Sequence, residues 1–325
     1  MRLLLVVNPT ASSVSPGIRA AIADALSVHH ELDVAETSAR NHAATLAGDA
    51  ATAGKDAVVV LAGDGTLNEA AQGLAGTSTA LAPLPGGSTN VFARTLGIAH
   101  EPLDACAQLL QSLDACSTRR IGVGVGNGGS GDRRFLFHLG AGFDAATVHD
   151  MEERHAHLKR HLAHPAFALA TVETWLRRYD RTTRITVTPS DRDGTPWLDA
   201  AAAGPYAVVS NSDPYTYVGR RRVTISRDAA LDRALAVTVF RTLRVSLLLR
   251  AVASGVARAR FVTSTPDIAQ LADVWRVALT SDVAFPWQVD GDHLGSTTEL
   301  SVRYEPDALT LVVPRTPSAP ARGRR

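Results

Sequence analysis

Short apolar runs and helix-forming segments alternate through the N-terminal part of the chain. The runs have the length of strands and lie at residues 3–7, 31–36, 56–61 and 80–84. A segment with helical spacing follows each run, at residues 16–26, 41–53, 67–74 and 88–96. This βαβαβαβα order predicts an α/β domain, a parallel sheet with helices on both faces, at residues 1–118.

A different pattern begins near residue 119, where short strand-like runs are separated by Gly, Pro, Asn and Asp. The runs lie at residues 119–125, 135–139, 184–188, 207–210, 222–226, 235–240, 275–280 and 299–302. They predict a β-rich, antiparallel, sandwich-like domain at residues 119–303. Helical inserts are expected at 145–179 and 243–257, and a disordered tail at 315–325.

The composition of the 325-residue chain narrows the classes of protein to which it can belong. With 45% hydrophobic and 20% charged residues, the chain has the composition of a globular protein. Its net charge is +1, whereas a general nucleic-acid binder carries a large excess of basic residues. Cys106 and Cys116 cannot form a disulfide scaffold, and no apolar run reaches the ~18 residues of a transmembrane helix. We expect a cytoplasmic protein that binds no nucleic acid; its oligomeric state is open, a homodimer being one option.

The residues that could bind a ligand or take part in a reaction lie in three turns that follow strand-like runs. These turns are residues 8–12, 62–69 and 84–94. Glycines in the last two let a backbone approach a ligand, and the helices that follow favour a phosphate at their N-termini. Carboxyl ends of parallel strands meet at one sheet edge, so the turns predict a phosphate site there. Asp64 could hold Mg²⁺ or orient a hydroxyl; the alternative is an ordinary turn with Asp64 as a helix N-cap.

An ordered set of motifs resembles the diacylglycerol kinase catalytic-domain family, which includes bacterial lipid kinases and sphingosine kinases. The motifs are Asn8-Pro9, Thr37 with His42-Ala43, residues 63–69, residues 85–94, residues 140–144, Asn211 with Gly219, residues 228–232 and residues 288–292. The resemblance spans almost the whole chain in the right order.

This resemblance implies an ATP-dependent lipid kinase that binds its nucleotide between the two domains and phosphorylates a lipid hydroxyl, converting diacylglycerol to phosphatidic acid. The lipid would be met at the inner face of the membrane by peripheral contact, and a strand near residues 304–314 would return to the first domain. The implied nucleotide-binding positions are Asn8, Pro9, Thr10, Ala11, Ser12, Thr37, Gly63, Asp64, Gly65, Thr66, Leu67, Asn68, Glu69, Gly87 and Ser88.

The remaining implied positions concern catalysis and metal binding. Asp292 stands where the family has a Glu proposed as proton acceptor, and Asp64 is the second candidate catalytic residue. Asp232, with the backbone carbonyls of Ala229 and Ala234, stands where the family has a Mg²⁺-linked Asp. The sequence departs from the family at four positions: Ala62 replaces a glycine and Ser88 a threonine, Arg233 follows Asp232 in place of Gly, and Asp292 reaches about 1.5 Å less far than Glu.

Several alternatives remain open at the level of sequence. The acceptor could be a sphingoid base, another lipid or, as in an NAD kinase, a soluble molecule. The chain could also be a catalytically weak nucleotide-binding module. His157 and His161, in a histidine-rich stretch at residues 149–164, could share a helix face as Zn²⁺ ligands or lie on an exposed polar face.

Overall fold

A computed structural model describes residues 1–154, 183–244, 250 and 265–315. Its N-terminal part has the predicted alternation of strands and helices. The elements are β1 (Arg2–Val7), α1 (Pro16–Ser27), β2 (Glu31–Glu36), α2 (His42–Thr52), β3 (Ala57–Ala62), α3 (Asp64–Leu74), β4 (Ala80–Pro85), α4 (Val91–Thr95) and α5 (Pro102–Asp114). The strands are parallel in the order β4-β3-β1-β2.

Helices cover both faces of this parallel sheet, and local sequence explains why they form. Ser15 caps α1 by accepting a hydrogen bond from the Ile18 N–H, and Pro16 occupies the first turn, where no N–H is needed. Every residue of β3 and β4 is buried, as expected for strands covered on both sides. One core lies between the sheet and α1 and α5, and the other between the sheet and α2 and α3.

The second part is rich in antiparallel strands. Its elements are β5 (Thr118–Asn127), β6 (Arg133–Phe135), β7 (His138–Gly142), α6 (Phe143–Arg154), β8 (Ile185–Ser190), β9 (Ala202–Gly204), β10 (Tyr206–Ser210), β11 (Thr216–Val218), β12 (Arg221–Val223), β13 (Leu235–Phe240), β14 (Ile268–Val274), β15 (Arg276–Val289) and β16 (Asp292–Val312), with a short 3-10 turn at Leu198–Ala200. β11 and β12 form a separate hairpin. The predicted fold class is therefore confirmed.

One long strand joins the two parts. The register of β16 against β5 shifts between Glu305 and Leu309, and such an irregularity bends a strand. Before the shift β16 pairs with β15, and after it Leu311 pairs in parallel with Leu81 of β4. The strands of both parts consequently form one hydrogen-bonded sheet of 14 strands among the described residues.

The structure differs from the sequence-based expectations in a few elements. Helix α5 and strand β14 were not anticipated, and β15 and β16 extend well beyond the expected 275–280 and 299–302. The expected strand at 135–139 is two strands, β6 and β7, separated by two residues. Helix α6 begins the insert expected at 145–179; most of both inserts and residues 316–325 lie outside the described residues. No helix within the described ranges is long and apolar enough to cross a bilayer.

Candidate active site

The predicted nucleotide-binding positions gather at one edge of the parallel sheet. Residues 8–12 follow β1, Thr37 follows β2, Gly63 follows β3 and residues 86–88 follow β4. Since the strands are parallel and adjacent, the four segments lie side by side at their carboxyl ends. The structure thus places the phosphate-binding candidates on the edge where α/β sheets bind ligands.

Direct hydrogen bonds tie the turns to one another. Asn8 Nδ2 donates to Thr66 Oγ1 at 3.1 Å, which links the first turn to the start of α3. Asn8 Oδ1 accepts from the N–H and the hydroxyl of Thr10, at 3.0 and 2.8 Å. The backbone N–H of Ser13 donates to the Gly86 carbonyl at 2.9 Å. The predicted contact residues therefore belong to one connected set of loops.

Two glycines are required because the turns after β3 and β4 touch. A Cβ atom on Gly87 would lie 2.8 Å from Gly63 Cα, and one on Gly86 would lie 2.8 Å from the backbone nitrogen of Ala62. Gly65 is different, since a Cβ atom there would meet nothing within 4 Å. Gly65 consequently faces open space at the sheet edge, which leaves room for a ligand.

Asp64 holds two of these turns together. Its carboxylate oxygens accept hydrogen bonds from the backbone N–H groups of Val91 at 2.8 Å and Phe92 at 3.0 Å, the first two residues of α4. Asp64 therefore caps the helix of the neighbouring turn, whereas Gly63 is the N-cap of its own helix. Burial raises the pKa of Asp64, and the two N–H donors oppose that rise. The α4 N-terminus, predicted to face phosphate, is thus already occupied by a carboxylate.

Three of the predicted nucleotide-binding residues direct their side chains inward. Leu67 belongs to the core beneath the sheet, and Glu69 Oε2 accepts from the backbone N–H of Ala43 at 3.3 Å. Asn68 is buried and donates to the Arg134 carbonyl at 3.0 Å and to Asp290 at 2.7 Å. Their side chains support the turn, so the exposed positions Gly65 and Ser88 are better placed to meet a ligand.

Asp290, which the sequence analysis did not single out, is the most extensively bonded carboxylate of the candidate site. Oδ2 accepts from the Leu136 N–H at 2.7 Å and from Asn68 Nδ2, while Oδ1 accepts from the N–H groups of Phe137 at 3.1 Å and His138 at 2.9 Å. Burial raises the pKa of Asp290 to about 7, against the opposing effect of these four donors. Asp290 therefore fastens the β15–β16 turn to α3 and to the start of β7.

Asp292 lies just beyond that turn and faces two arginines. Asp290 and Gly291 both have positive φ angles, as in the tight hairpin turns that favour Asp-Gly. Asp292 Oδ2 lies 3.5 Å from Arg40 Nη2 and 3.8 Å from Arg133 Nη2. Arg40 is three residues beyond Thr37, in the loop at the carboxyl end of β2. The predicted proton acceptor is thus directed toward the edge that carries the nucleotide candidates.

The residues implied for Mg²⁺ include one carboxylate, which lies beside an arginine. The Asp232 side chain is 69% exposed, and its carboxylate lies 3.7 Å from Arg119 Nη2. Arg233 turns away and binds Asp273 at 2.7 Å, while Ala229 and Ala234 are buried. Among the described residues no group of three Asp, Glu, His or Cys side chains is placed to hold a metal ion. The set implied by the resemblance, one carboxylate with two backbone carbonyls, is a different kind of site and stays a prediction.

Arg94 connects the two parts of the chain beside the site. Its Nη2 donates to the Gly219 carbonyl at 2.9 Å, and its guanidinium lies 3.6 Å from the centre of the Tyr217 ring. Both partners belong to the β11–β12 hairpin. Arg94 therefore makes a contact between the two parts of the chain. The candidate zinc ligands His157 and His161 lie outside the described residues.

Comparison with known proteins agrees with this geometry. Residues 2–119 match the family model "Diacylglycerol kinase catalytic domain", a range that includes all four segments at the sheet edge. The match is confined to the N-terminal part of the chain. The predicted resemblance is thereby confirmed for the part of the chain that carries the glycine turns.

Curated relatives of the domain extend the likeness only partway. The chain is 33% identical over 169 residues to a "Probable lipid kinase YegS-like" of Chromohalobacter salexigens, covering 51% of this chain and 50% of that protein. It is 35% identical over 147 residues to a "Diacylglycerol kinase" of Bacillus subtilis, covering 42% and 45%. The chain thus spans about half the length of the curated relatives it matches.

Solved structures share the fold of both parts of the chain. A diacylglycerol kinase of Bacillus anthracis superposes with a TM-score of 0.65 at 18% identity, covering 97% of both chains. An NAD kinase of Archaeoglobus fulgidus in complex with ATP superposes with a TM-score of 0.54 at 10% identity, covering 97% of this chain and 94% of that one. At these identities the likeness concerns the fold alone.

Proposed function

We propose that the protein is an ATP-dependent lipid kinase that transfers the γ-phosphate to the hydroxyl of diacylglycerol. The observation that carries the proposal is the connected set of turns at the carboxyl edge of β1 to β4, within the family match at residues 2–119. Asn8, Thr66, Ser13 and Gly86 hold these turns in one arrangement. Fixed backbone geometry of this kind positions phosphates, and phosphoryl transfer depends mainly on positioning and charge neutralisation.

In the proposed reaction the lipid hydroxyl oxygen attacks the γ-phosphorus, and the bond between that phosphorus and the oxygen retained by ADP breaks. The hydroxyl proton must leave during the attack, and Asp292 is the proposed acceptor because its carboxylate is directed toward the nucleotide edge. Asp64 holds α4 against the turn after β3. Mg²⁺ would neutralise phosphate charge when bound with the nucleotide.

The β-rich domain is proposed to supply the lipid-binding surface at the inner face of the cell membrane, with peripheral contact. The Arg94 bridge to the β11–β12 hairpin and the Asp290 bonds hold that domain beside the nucleotide edge. The acceptor hydroxyl could thus enter between the two domains.

A labelling experiment tests the proposal directly. The full chain is incubated with γ-labelled ATP and Mg²⁺ together with diacylglycerol, sphingosine or NAD, the lipids being presented in mixed micelles. We expect label in phosphatidic acid. The matched inactive variant is Gly65→Val, which alters a position that faces open space. Label in NAD alone would indicate a soluble-substrate kinase, and ATP binding without any labelled product would indicate a nucleotide-binding module.

A further inference from the structure

Two arginines from different domains converge on one carboxylate oxygen at the site. Arg40 comes from the loop after β2, Arg133 from the first residue of β6, and both approach Asp292 Oδ2. Their distances of 3.5 and 3.8 Å exceed the 2.8 Å between Arg134 and Glu305. The two guanidinium groups are therefore held near the carboxylate without close contact, which leaves their donors available.

The charges around Asp292 do not balance. Two guanidinium groups face one carboxylate, and the nearby acidic residues Asp132 and Glu305 already pair with Arg303 and Arg134. The buried Asp290 directs its oxygens to N–H donors of the protein. An anion with more than one negative charge would consequently be better matched to Arg40 and Arg133 than Asp292 alone.

Arg133 also has a donor with no partner. Its side chain is 20% exposed, and its Nε is buried without a hydrogen bond to the protein. Its Nη1 donates to Asn41 Oδ1 at 3.3 Å, and Asn41, the N-cap residue of α2, makes no side-chain capping bond. The positive end of the 11-residue helix α2 thus adds to the two guanidinium charges.

We propose that Arg40 and Arg133 form a phosphoryl-binding site that spans the two domains, with Asp292 standing beside it. Planar guanidinium groups match the oxygens of a phosphate, and a phosphoryl dianion would complete the local charge. The phosphoryl group could be the terminal phosphate of the nucleotide or the phosphomonoester of a lipid. The inference rests on the proposed function and adds positioning residues that bring the transferred group to the proton acceptor.

The test compares ATP with ADP, because the two nucleotides differ in the proposed ligand group. Affinities are measured by calorimetry for the full-length wild type, Arg40→Gln and Arg133→Gln, without lipid. We expect the preference for ATP over ADP to fall at least about tenfold in each variant, while ADP affinity changes less than about threefold. Arg40→Gln keeps the test decisive if Arg133→Gln fails to fold. The Arg40 side chain is 57% exposed, so its replacement should not affect folding.

Arg120→Gln is the matched control. Arg120 is exposed and donates a hydrogen bond to the Asp307 carbonyl. The carbonyl of the next residue, Ala308, accepts a hydrogen bond from the backbone N–H of Gly76, which follows the end of α3. That position is at the opposite edge of the parallel sheet, so the ATP preference should be unchanged.

A second arm identifies the source of the phosphoryl group. Inhibition by phosphatidic acid is measured in mixed micelles. A tenfold loss of this inhibition at unchanged ATP preference would support the site and assign it to the lipid phosphate. Unchanged values in both arms would overturn the inference, even if lipid phosphorylation persists. If the wild type binds no nucleotide, the proposed function fails; inorganic pyrophosphate then replaces ATP, and equal affinities of wild type and Arg133→Gln overturn the site.

Discussion

Asp64 and Asp292 are both carboxylates at the candidate site, but their surroundings give them different tasks. Asp64 accepts two backbone N–H bonds and so shapes the loops. The side-chain partners described above for Asp292 are two arginines, whose nitrogens lie 3.5 and 3.8 Å from its Oδ2. Substitutions at the two positions should therefore have different consequences.

Asp64→Asn should reduce stability as well as activity. The amide nitrogen of Asn would face one of the N–H donors of Val91 and Phe92, which leaves that donor unpaired. A loss of about 1–3 kcal/mol in the free energy of unfolding is expected. Urea unfolding measures it, with Asp49→Asn on the exposed side of α2 as control. Wild-type stability with a large loss of turnover would instead make Asp64 purely catalytic.

Asp292→Asn should lower kcat by about 100-fold or more, because general-base assistance is of that size. ATP affinity should not fall, since the substitution removes a negative charge between Arg40 and Arg133. Asp292→Glu should keep most of the activity because the carboxylate is retained. Steady-state kinetics at saturating ATP and lipid decide the matter, with Asp273→Asn as an exposed ion-paired control. A loss below about threefold would argue against the role.

The sequence identified which residues lie at the site better than what they do. The glycine turns could be located because their pattern is local. The partners of Asp64 are 27 and 28 residues away, so its capping role depends on how β3 and β4 pair. Asp290 was hidden for the same reason: an Asp-Gly pair indicates a hairpin turn, whereas its four donors come from α3 and from residues 136–138.

At the level of elements, the contact between the turns after β3 and β4 is the feature on which the candidate site depends. Gly63 and Gly87 approach so closely that neither turn can move independently. Helix α4 follows the second turn and contacts the β11–β12 hairpin through Arg94. A substitution that shifts the backbone of one turn should therefore also shift the backbone of the other.

Two glycine substitutions should separate ligand binding from folding. Gly65→Val places its side chain in open space, so stability should be close to the wild type's while ATP affinity falls at least about tenfold. Gly87→Ala places Cβ 2.8 Å from Gly63 Cα and should cost about 1–3 kcal/mol of stability. Thermal unfolding and calorimetry measure both, with Gly48→Ala as control. Normal ATP binding by Gly65→Val would place the phosphates elsewhere.

The elements that were missed differ in whether a local pattern could have shown them. Helix α5 could have been predicted, because Pro102 opens it and Ala105, Cys106, Leu109 and Leu113 recur at helical spacing. The length of β16 could not, since its middle carries exposed polar residues and Asp307 has a positive φ of 49°. Its continuity comes from β5, which pairs on both sides of the irregularity.

At the scale of the whole molecule, the two domains are joined by more than a linker. β16 takes part in the antiparallel strands and in the parallel sheet, and Asp290 bonds to Asn68 of α3. Leu231 of the second domain also packs in the core of the first. We therefore expect the domains to unfold together, and a group at their junction to affect the stability of both.

Asp290 should make that common stability depend on pH. Burial raises its pKa to about 7 in the folded protein, whereas an unfolded aspartate has a pKa near 3.8. Between these values the unfolded chain binds fewer protons, so the contribution of Asp290 to the free energy of unfolding falls as pH rises from about 4 to about 7. The full shift corresponds to a decrease of up to about 4 kcal/mol.

The measurement is urea unfolding of the wild type and of Asp290→Asn at several pH values from about 4.5 to about 8. This range covers most of the interval between the two pKa values and extends above the higher one. The amide cannot titrate, so the difference in stability between the two proteins should change across this interval and level off above about pH 7. Asp273→Asn, an exposed ion-paired carboxylate, should give no comparable change. A difference that stays constant from pH 4.5 to 8 would mean that the four N–H donors fully compensate for burial and that Asp290 is ionised throughout this range.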